Sequence, residues 1–246
     1  MQLKIIKIKK INKLNSKKII LLLFIILTSS FVFSQNKNQE IENKNFFGFN
    51  VGILVPNNLI LQKSINEVYK NDKYILTNKY GYLYGISVKH DFTKHYSLQT
   101  GINYIHRNFS AEIINSDTSI QNNLRFISYE LPIYGLIYVR LFKNIYMDIS
   151  PGFSTNFFPS DIISNNMYGK RYRFVTFSGM LNIGWEFRTK NSGYFYLGAS
   201  YKRDASNMIY VAYFKGIING LSDYSIAMHG DYLNINFTYY LPQNKK

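Results

Sequence analysis

The sequence predicts an all-β chain: an eight-stranded antiparallel up-and-down transmembrane β-barrel. Eight segments between Phe46 and Leu241 alternate apolar with small polar residues, and long and short connections take turns between them. Aromatic residues make up 17% of the chain, as an interfacial girdle requires. Parity alone does not orient the faces, because a soluble lipocalin-like barrel alternates in the same way. The polar face, built of Gly, Ser, Asn and Thr with single charges, suits a narrow filled lumen and leaves the apolar face to lipid.

The first strand, Phe46 to Val55, sets Phe47, Phe49, Val51 and Ile53 against Gly48, Asn50 and Gly52, and Pro56 ends it. The second, Tyr80 to His90, sets Tyr82, Tyr84, Ile86 and Val88 against Gly81, Gly85, Ser87 and Lys89. After a tight turn the third opposes Leu98, Ile102 and Tyr104 to Ser97, Gln99, Asn103 and Arg107. The fourth, Leu124 to Arg140, carries Ile127, Tyr129, Leu131, Ile133, Ile137 and Val139 outward and Ser128, Glu130, Tyr134, Tyr138 and Arg140 inward. In the fifth, Met147, Ile149 and Phe153 oppose Asp148, Ser150 and Ser154. The sixth, Arg171 to Phe187, is the clearest, with Phe177, Leu181, Ile183 and Trp185 against Ser178, Asn182 and Glu186. The seventh opposes Leu197 and Tyr201 to Ser200 and Lys202, and the eighth Ile235 and Phe237 to Asn234, Asn236 and Thr238. Tyr80, Tyr96, Tyr194 and Tyr239 fall at strand ends, where the girdle is expected. Pro132 and Pro151 remove ladder donors from adjacent strands, which predicts a local bulge or twist.

Residues 1–34 read as a cleaved signal peptide: seven lysines precede the run Ile19 to Leu27, which is too short to span a bilayer, and cleavage is expected after Ser34. The remaining organisation is a polar leader over 35–45, the barrel over 46–241 and a periplasmic tail over 242–246, with no peptidoglycan-binding appendage expected. Removing the seven leader lysines takes the formal charge from +15 to +8. The remaining cations are scattered, which argues against nucleic acid and suits a rim facing lipid headgroups. With no cysteine, disulfides, thiol chemistry and a lipoprotein anchor are excluded. With both termini periplasmic, segments 56–79, 108–123, 157–170 and 205–230 are outward loops, and the turns near Thr93, Lys143 and Lys190 face the periplasm.

The segment Tyr129-Glu130-Leu131-Pro132-Ile133-Tyr134-Gly135 resembles the tyrosine-x-glutamate-aliphatic-proline-aliphatic signature of the PorT-type outer-membrane β-barrel family. The resemblance implies an eight-stranded outer-membrane protein, with some relatives assisting protein secretion, and carries over no catalytic residue.

Lys89, Arg107, Glu130, Arg140, Asp148, Glu186 and Lys202 project from the lumen face, where charge must be paired, so opposite signs on neighbouring strands are expected to form a network. Among the titratable groups, His90 and His95 belong to one end and His106 and His229 to the other. His229 with Asp223 or Asp231 is the nearest approach to a catalytic dyad, and solvated loop residues are the plainer reading. No zinc-spaced pair, phosphate loop or serine elbow is present. Catalytic, cofactor and metal residues are therefore all expected to be absent. The apolar runs 209–214 and 217–218 read as strands rising above the membrane, or as a docking surface.

The expected function is a non-enzymatic, structural or interaction protein of the outer membrane. Its expected partners are membrane lipids and another envelope or secretion-system protein, and the barrel is expected to be monomeric. The alternatives are an outer-membrane enzyme acting on lipid or peptide and a small passive channel.

Overall fold

Residues 44–56, 64–69, 72–114, 119–164, 167–189, 191–206, 210–215 and 221–242 are described by the computed structural model. The expected signal peptide and the last four residues lie outside them. All regular structure among the described residues is strand: β1 (Lys44–Val55), β2 (Ser64–Tyr69), β3 (Asp72–Asp91), β4 (Tyr96–Ile114), β5 (Ser119–Arg140), β6 (Ile145–Phe157), β7 (Ile162–Ser164), β8 (Met167–Arg171), β9 (Val175–Arg188), β10 (Tyr194–Asp204), β11 (Tyr210–Lys215), β12 (Leu221–Met228) and β13 (Tyr232–Tyr240).

Eight of these close a ring in the order β1-β13-β10-β9-β6-β5-β4-β3, and β3 pairs back onto β1. Every neighbour is antiparallel, so no ring strand is left with an open edge. The ladder partners lead from Glu130 through Asn103, Gly85, Asn50, Thr238, Tyr196, Glu186 and Tyr146 to Arg140. One circuit therefore returns to β5 at position 140 instead of 130, a stagger of ten residues. A closed barrel acquires such a stagger because its strands tilt against the axis.

The faces are oriented as the sequence predicts. Phe177, Leu181 and Ile235 are 65%, 50% and 52% exposed on the outside, whereas Asn182 and Asn234 are buried within. The polar side of each strand fits a tapering interior: the ring of Tyr196 lies against Gly184 and Gly198, where any side chain would collide with it. At the β9–β10 turn, Gly193 adopts φ 82°, and the Thr189 amide donates to its carbonyl at 3.1 Å.

The prolines do not bulge the sheet. Pairing keeps one register from Thr100↔Ile133 to Asn103↔Glu130 and from Tyr134↔Gly152 to Ile137↔Ile149, with two rungs missing from each ladder, one of them at Pro132 on β5 and one at Pro151 on β6. The Pro132 carbonyl accepts a side-chain hydrogen bond from the Thr100 hydroxyl at 2.9 Å. The irregularity in the ring lies instead on β3, between Lys79 and Tyr82. It switches the parity of that strand, so that Leu76 above and Leu83 below both face inward.

The segments expected as long loops hold more structure than loops. Strands β3, β4 and β5 stay paired well past the ring, from Lys79↔Asn108 to Lys73↔Ile114 and on to Ile114↔Ser119, and β2 adds to β3. A second sheet, β12-β11-β8-β7, is built from the other two long connections. Tyr74, Leu76, Phe109, Ile113, Leu124 and Phe126 form one apolar core with Phe158, Ile162, Tyr210, Ile226 and Met228 of the second group of segments. Burying each such side chain fully is worth about 1.5–3 kcal/mol, which is why the alternation continues beyond the ring.

Candidate functional site in the barrel lumen

The lumen holds two ionic layers. In the layer nearer the long connections, Lys202 Nζ lies 2.8 Å from Glu130 Oε2, and both residues are inaccessible to solvent. Tyr232 donates to the same carboxylate at 3.0 Å, and Asn103 Nδ2 donates to its other oxygen at 3.3 Å. The network extends from Asn103 to Asn50 and on to Ser87, each link 3.1 Å. On the other side Lys202 also donates to Asn156, whose amide donates to Ser178 at 2.7 Å. Above this layer the Arg107 guanidinium stacks over Tyr232 at 5.0 Å and Phe126 at 5.7 Å, and its Nε and Nη2 find no hydrogen-bond acceptor among the described residues.

The layer nearer the tight turns is organised around Glu186. Lys89 Nζ reaches one carboxylate oxygen at 2.7 Å, Arg188 Nε the other at 2.6 Å, and the Tyr138 hydroxyl donates at 2.9 Å. Four rings surround the Lys89 ammonium: Tyr240 at 4.5 Å, Tyr194 at 4.8 Å, Phe46 at 5.0 Å and Tyr138 at 5.5 Å. Such a cage compensates a desolvated cation with ring quadrupoles as well as with its counter-ion. Asp91 lies 3.8 Å from Lys89 and accepts from Ser97 at 2.6 Å. Asp148 accepts from Ser150, and its Oδ1 has no hydrogen-bond partner among the described residues.

Glu130 and Tyr138 lie on the same strand, eight positions apart, so the two layers are separated by about 26 Å of strand, less in height because of tilt. Between them is a cavity of about 30 Å³ whose lining includes Asn50, Tyr134, Asn182, Tyr196 and Asn236. That is room for about two water molecules among polar partners.

The expected lumen charges are thus brought together, with two corrections. Partners do not sit on neighbouring strands: β3 and β9 are diametrically opposed in the ring, and β5 and β10 are separated by β6 and β9. The stagger brings these distant positions level, and a lysine and a glutamate side chain reaching inward from the two strands together cross the eight-stranded interior. Arg140 lies outside the network, exposed at the end of β5, where it donates to the carbonyls of Phe142 at 3.2 Å and Lys143 at 3.1 Å. Tyr194 likewise turns inward toward Lys89 instead of joining an outer girdle. The outward tyrosines at the long-connection end are Tyr82, Tyr84, Tyr104 and Tyr129, linked ring to ring, with His106 stacked on Tyr82 at 4.8 Å.

The histidines do not assemble. His90 meets Asn45 at 2.6 Å and His95 the Tyr138 carbonyl at 3.3 Å, both near the tight turns. His229 is exposed at the opposite end, with no ion pair to Asp231. The Asp231 carboxylate instead accepts from the Asp204 amide at 2.7 Å. The Asp223 side chain lies outside the description. Among the described residues no group of His, Asp and Glu forms a metal cluster.

Beyond the ring, Asp161 accepts from the Arg171 amide at 2.9 Å and the Tyr168 hydroxyl at 2.7 Å. The amide bond, together with the Tyr168 hydroxyl and the Arg171 charge, holds its carboxyl below the usual range. Burial pushes the Tyr210 phenol up to about 12, with the Asp161 charge adding to the effect.

Fold and lumen together define a closed antiparallel β-barrel with an apolar exterior and a charge-crossed polar interior. No protein-family model matches the chain, and no curated protein matches it. Among solved structures the chain is similar to the outer membrane protein OprG from Pseudomonas aeruginosa, at 12% identity and a TM-score of 0.49 over 81% of this chain and 96% of that one.

Proposed function

We propose that this chain is a non-enzymatic β-barrel of the bacterial outer membrane, exported by a cleaved signal peptide, with a structural or interaction role. The carrying observation is the inversion of a soluble protein's surface. Large apolar side chains ring the outside at mid-height, and the polar groups pair with one another inside. Lipids are the partners of that belt. The long-connection end, with its second sheet, is the surface for another envelope or secretion component, in line with the PorT-type signature at Tyr129–Gly135. The barrel acts as a monomer.

Site-specific photo-crosslinkers at exposed positions of β2, such as Glu67, test the interaction role in intact envelopes. A discrete adduct, lost when the same probe sits in the β5–β6 turn, supports it; recovery of the barrel alone contradicts it. For the enzyme reading, His229→Ala and Asp231→Ala leave any lipid or peptide hydrolysis by purified protein unchanged. Against a passive channel, two buried ion pairs, Lys202–Glu130 and Lys89–Glu186, cross the lumen at different heights. Planar bilayers containing the protein are expected to show no unitary current steps.

A further inference from the structure

Outside the ring, at the long-connection end, Lys79, Asn108 and Arg125 occupy one rung across β3, β4 and β5, next above the Tyr82–Tyr104–Tyr129 cluster. Lys79 and Arg125 are exposed with outward parity, and Lys79 Nζ donates to Asn123 at 3.0 Å. Two places round the ring from β5, in the segment leading into β9, Arg171 is pinned by hydrogen bonds to the carbonyls of Phe158 and Pro159, both 2.9 Å. That anchor leaves Tyr172, Arg173 and Phe174 presented to the outside, with Tyr172 52% and Phe174 53% exposed. Arg173 lies over the Tyr172 ring at 5.4 Å. Carrying the β6–β9 register two residues past Val175 and allowing for the stagger puts Arg173 within about one residue of the height of Arg125.

Among the described residues no carboxylate pairs with Lys79, Arg125 or Arg173. Three cations without a carboxylate partner and two half-exposed rings, Tyr172 beneath Arg173 and Phe174 beside Arg171, therefore form a collar just beyond the apolar belt, at headgroup depth. We propose that this collar binds the phosphorylated sugar headgroup of an outer-leaflet glycolipid. Guanidinium groups take phosphate oxygens in pairs, and an exposed ring face packs against a sugar. A plain phospholipid would satisfy the cations but leave Tyr172 and Phe174 uncovered. The inference rests on the outer-membrane reading and adds the lipid class.

The test is native mass spectrometry of the full chain folded in detergent, titrated with bisphosphorylated lipid A, its dephosphorylated form and phosphatidylethanolamine. Bisphosphorylated lipid A should bind about tenfold more tightly than either alternative, and the combined Lys79→Gln, Arg125→Gln, Arg173→Gln variant should lose that preference. Equal binding of the dephosphorylated form, an unaffected triple variant, or displacement by millimolar inorganic phosphate alone overturns the proposal. Should the triple variant fail to fold, Arg173→Gln, in an irregular exposed segment, must still lower the preference about threefold. Folding is read separately from the electrophoretic shift between unheated and heated samples, and a missing shift in the unaltered protein contradicts the barrel reading instead.

Discussion

Lys202 and Glu130 meet at 2.8 Å in the middle of the barrel, although β10 and β5 are three places apart around the ring. Removing one partner leaves the other desolvated and alone. Glu130→Ala should therefore cost about 3–5 kcal/mol of stability, read from urea unfolding in lipid vesicles, while Glu130→Leu with Lys202→Met should recover most of the loss. A cost below about 1 kcal/mol for the single change would contradict the assignment of the pair.

The second layer predicts an ordering. Glu186 holds both Lys89 and Arg188, so Lys89→Met leaves the carboxylate with its 2.6 Å guanidinium partner, whereas Glu186→Ala strands two cations. Unfolding midpoints should fall further for Glu186→Ala than for Lys89→Met. The reverse order would mean that the ring cage, rather than the carboxylate, dominates around Lys89.

Thr100 donates from its hydroxyl to the Pro132 carbonyl, beside the gap in the β4–β5 ladder. Thr100→Val keeps shape but removes the 2.9 Å bond, and should cost about 1 kcal/mol. A Thr100→Ser variant, which restores the hydroxyl, should be close to the original stability; if both lose equally, packing and not the bond is responsible.

The acid response of the second sheet follows from Asp161. Its carboxyl is held below the ordinary range in the folded state, so its stabilisation is complete above that range and fades as pH falls through the lowered value. The Arg171 amide proton, which Asp161 accepts, should report this in an NMR titration with a midpoint below about 3.9. A midpoint at or above that value, or a titration that survives Asp161→Asn, would remove the role.

Strand parity was legible because the two faces meet different surroundings, and a one-residue shift would exchange Phe177 with Ser178. The pairing of lumen charges was not, because it depends on the stagger, which is set by hydrogen-bond register and not by local pattern. Lys89 and Glu186 lie on opposite strands, and nothing near either in sequence indicates that they meet. Arg140 shows where parity loses its meaning, because at the last rung its side chain is free to turn to the Phe142 carbonyl; Tyr194 keeps the inward parity of Tyr196 and Lys202 and so reaches Lys89. The core of Tyr74, Phe109 and Leu124 was hidden because strands were assigned only the length a membrane requires, although the same alternation continues past it.

Trp185 tests the orientation of the whole sheet, since it is the only tryptophan and sits outside, 54% exposed, toward the tight turns. In vesicles of lipids brominated at successive acyl positions, the folded protein should show blue-shifted Trp185 emission quenched most strongly by the bromines nearest the headgroups. Water-like emission, indifferent to bromine at every depth in a sample that is fully folded, would contradict a barrel whose apolar face touches lipid.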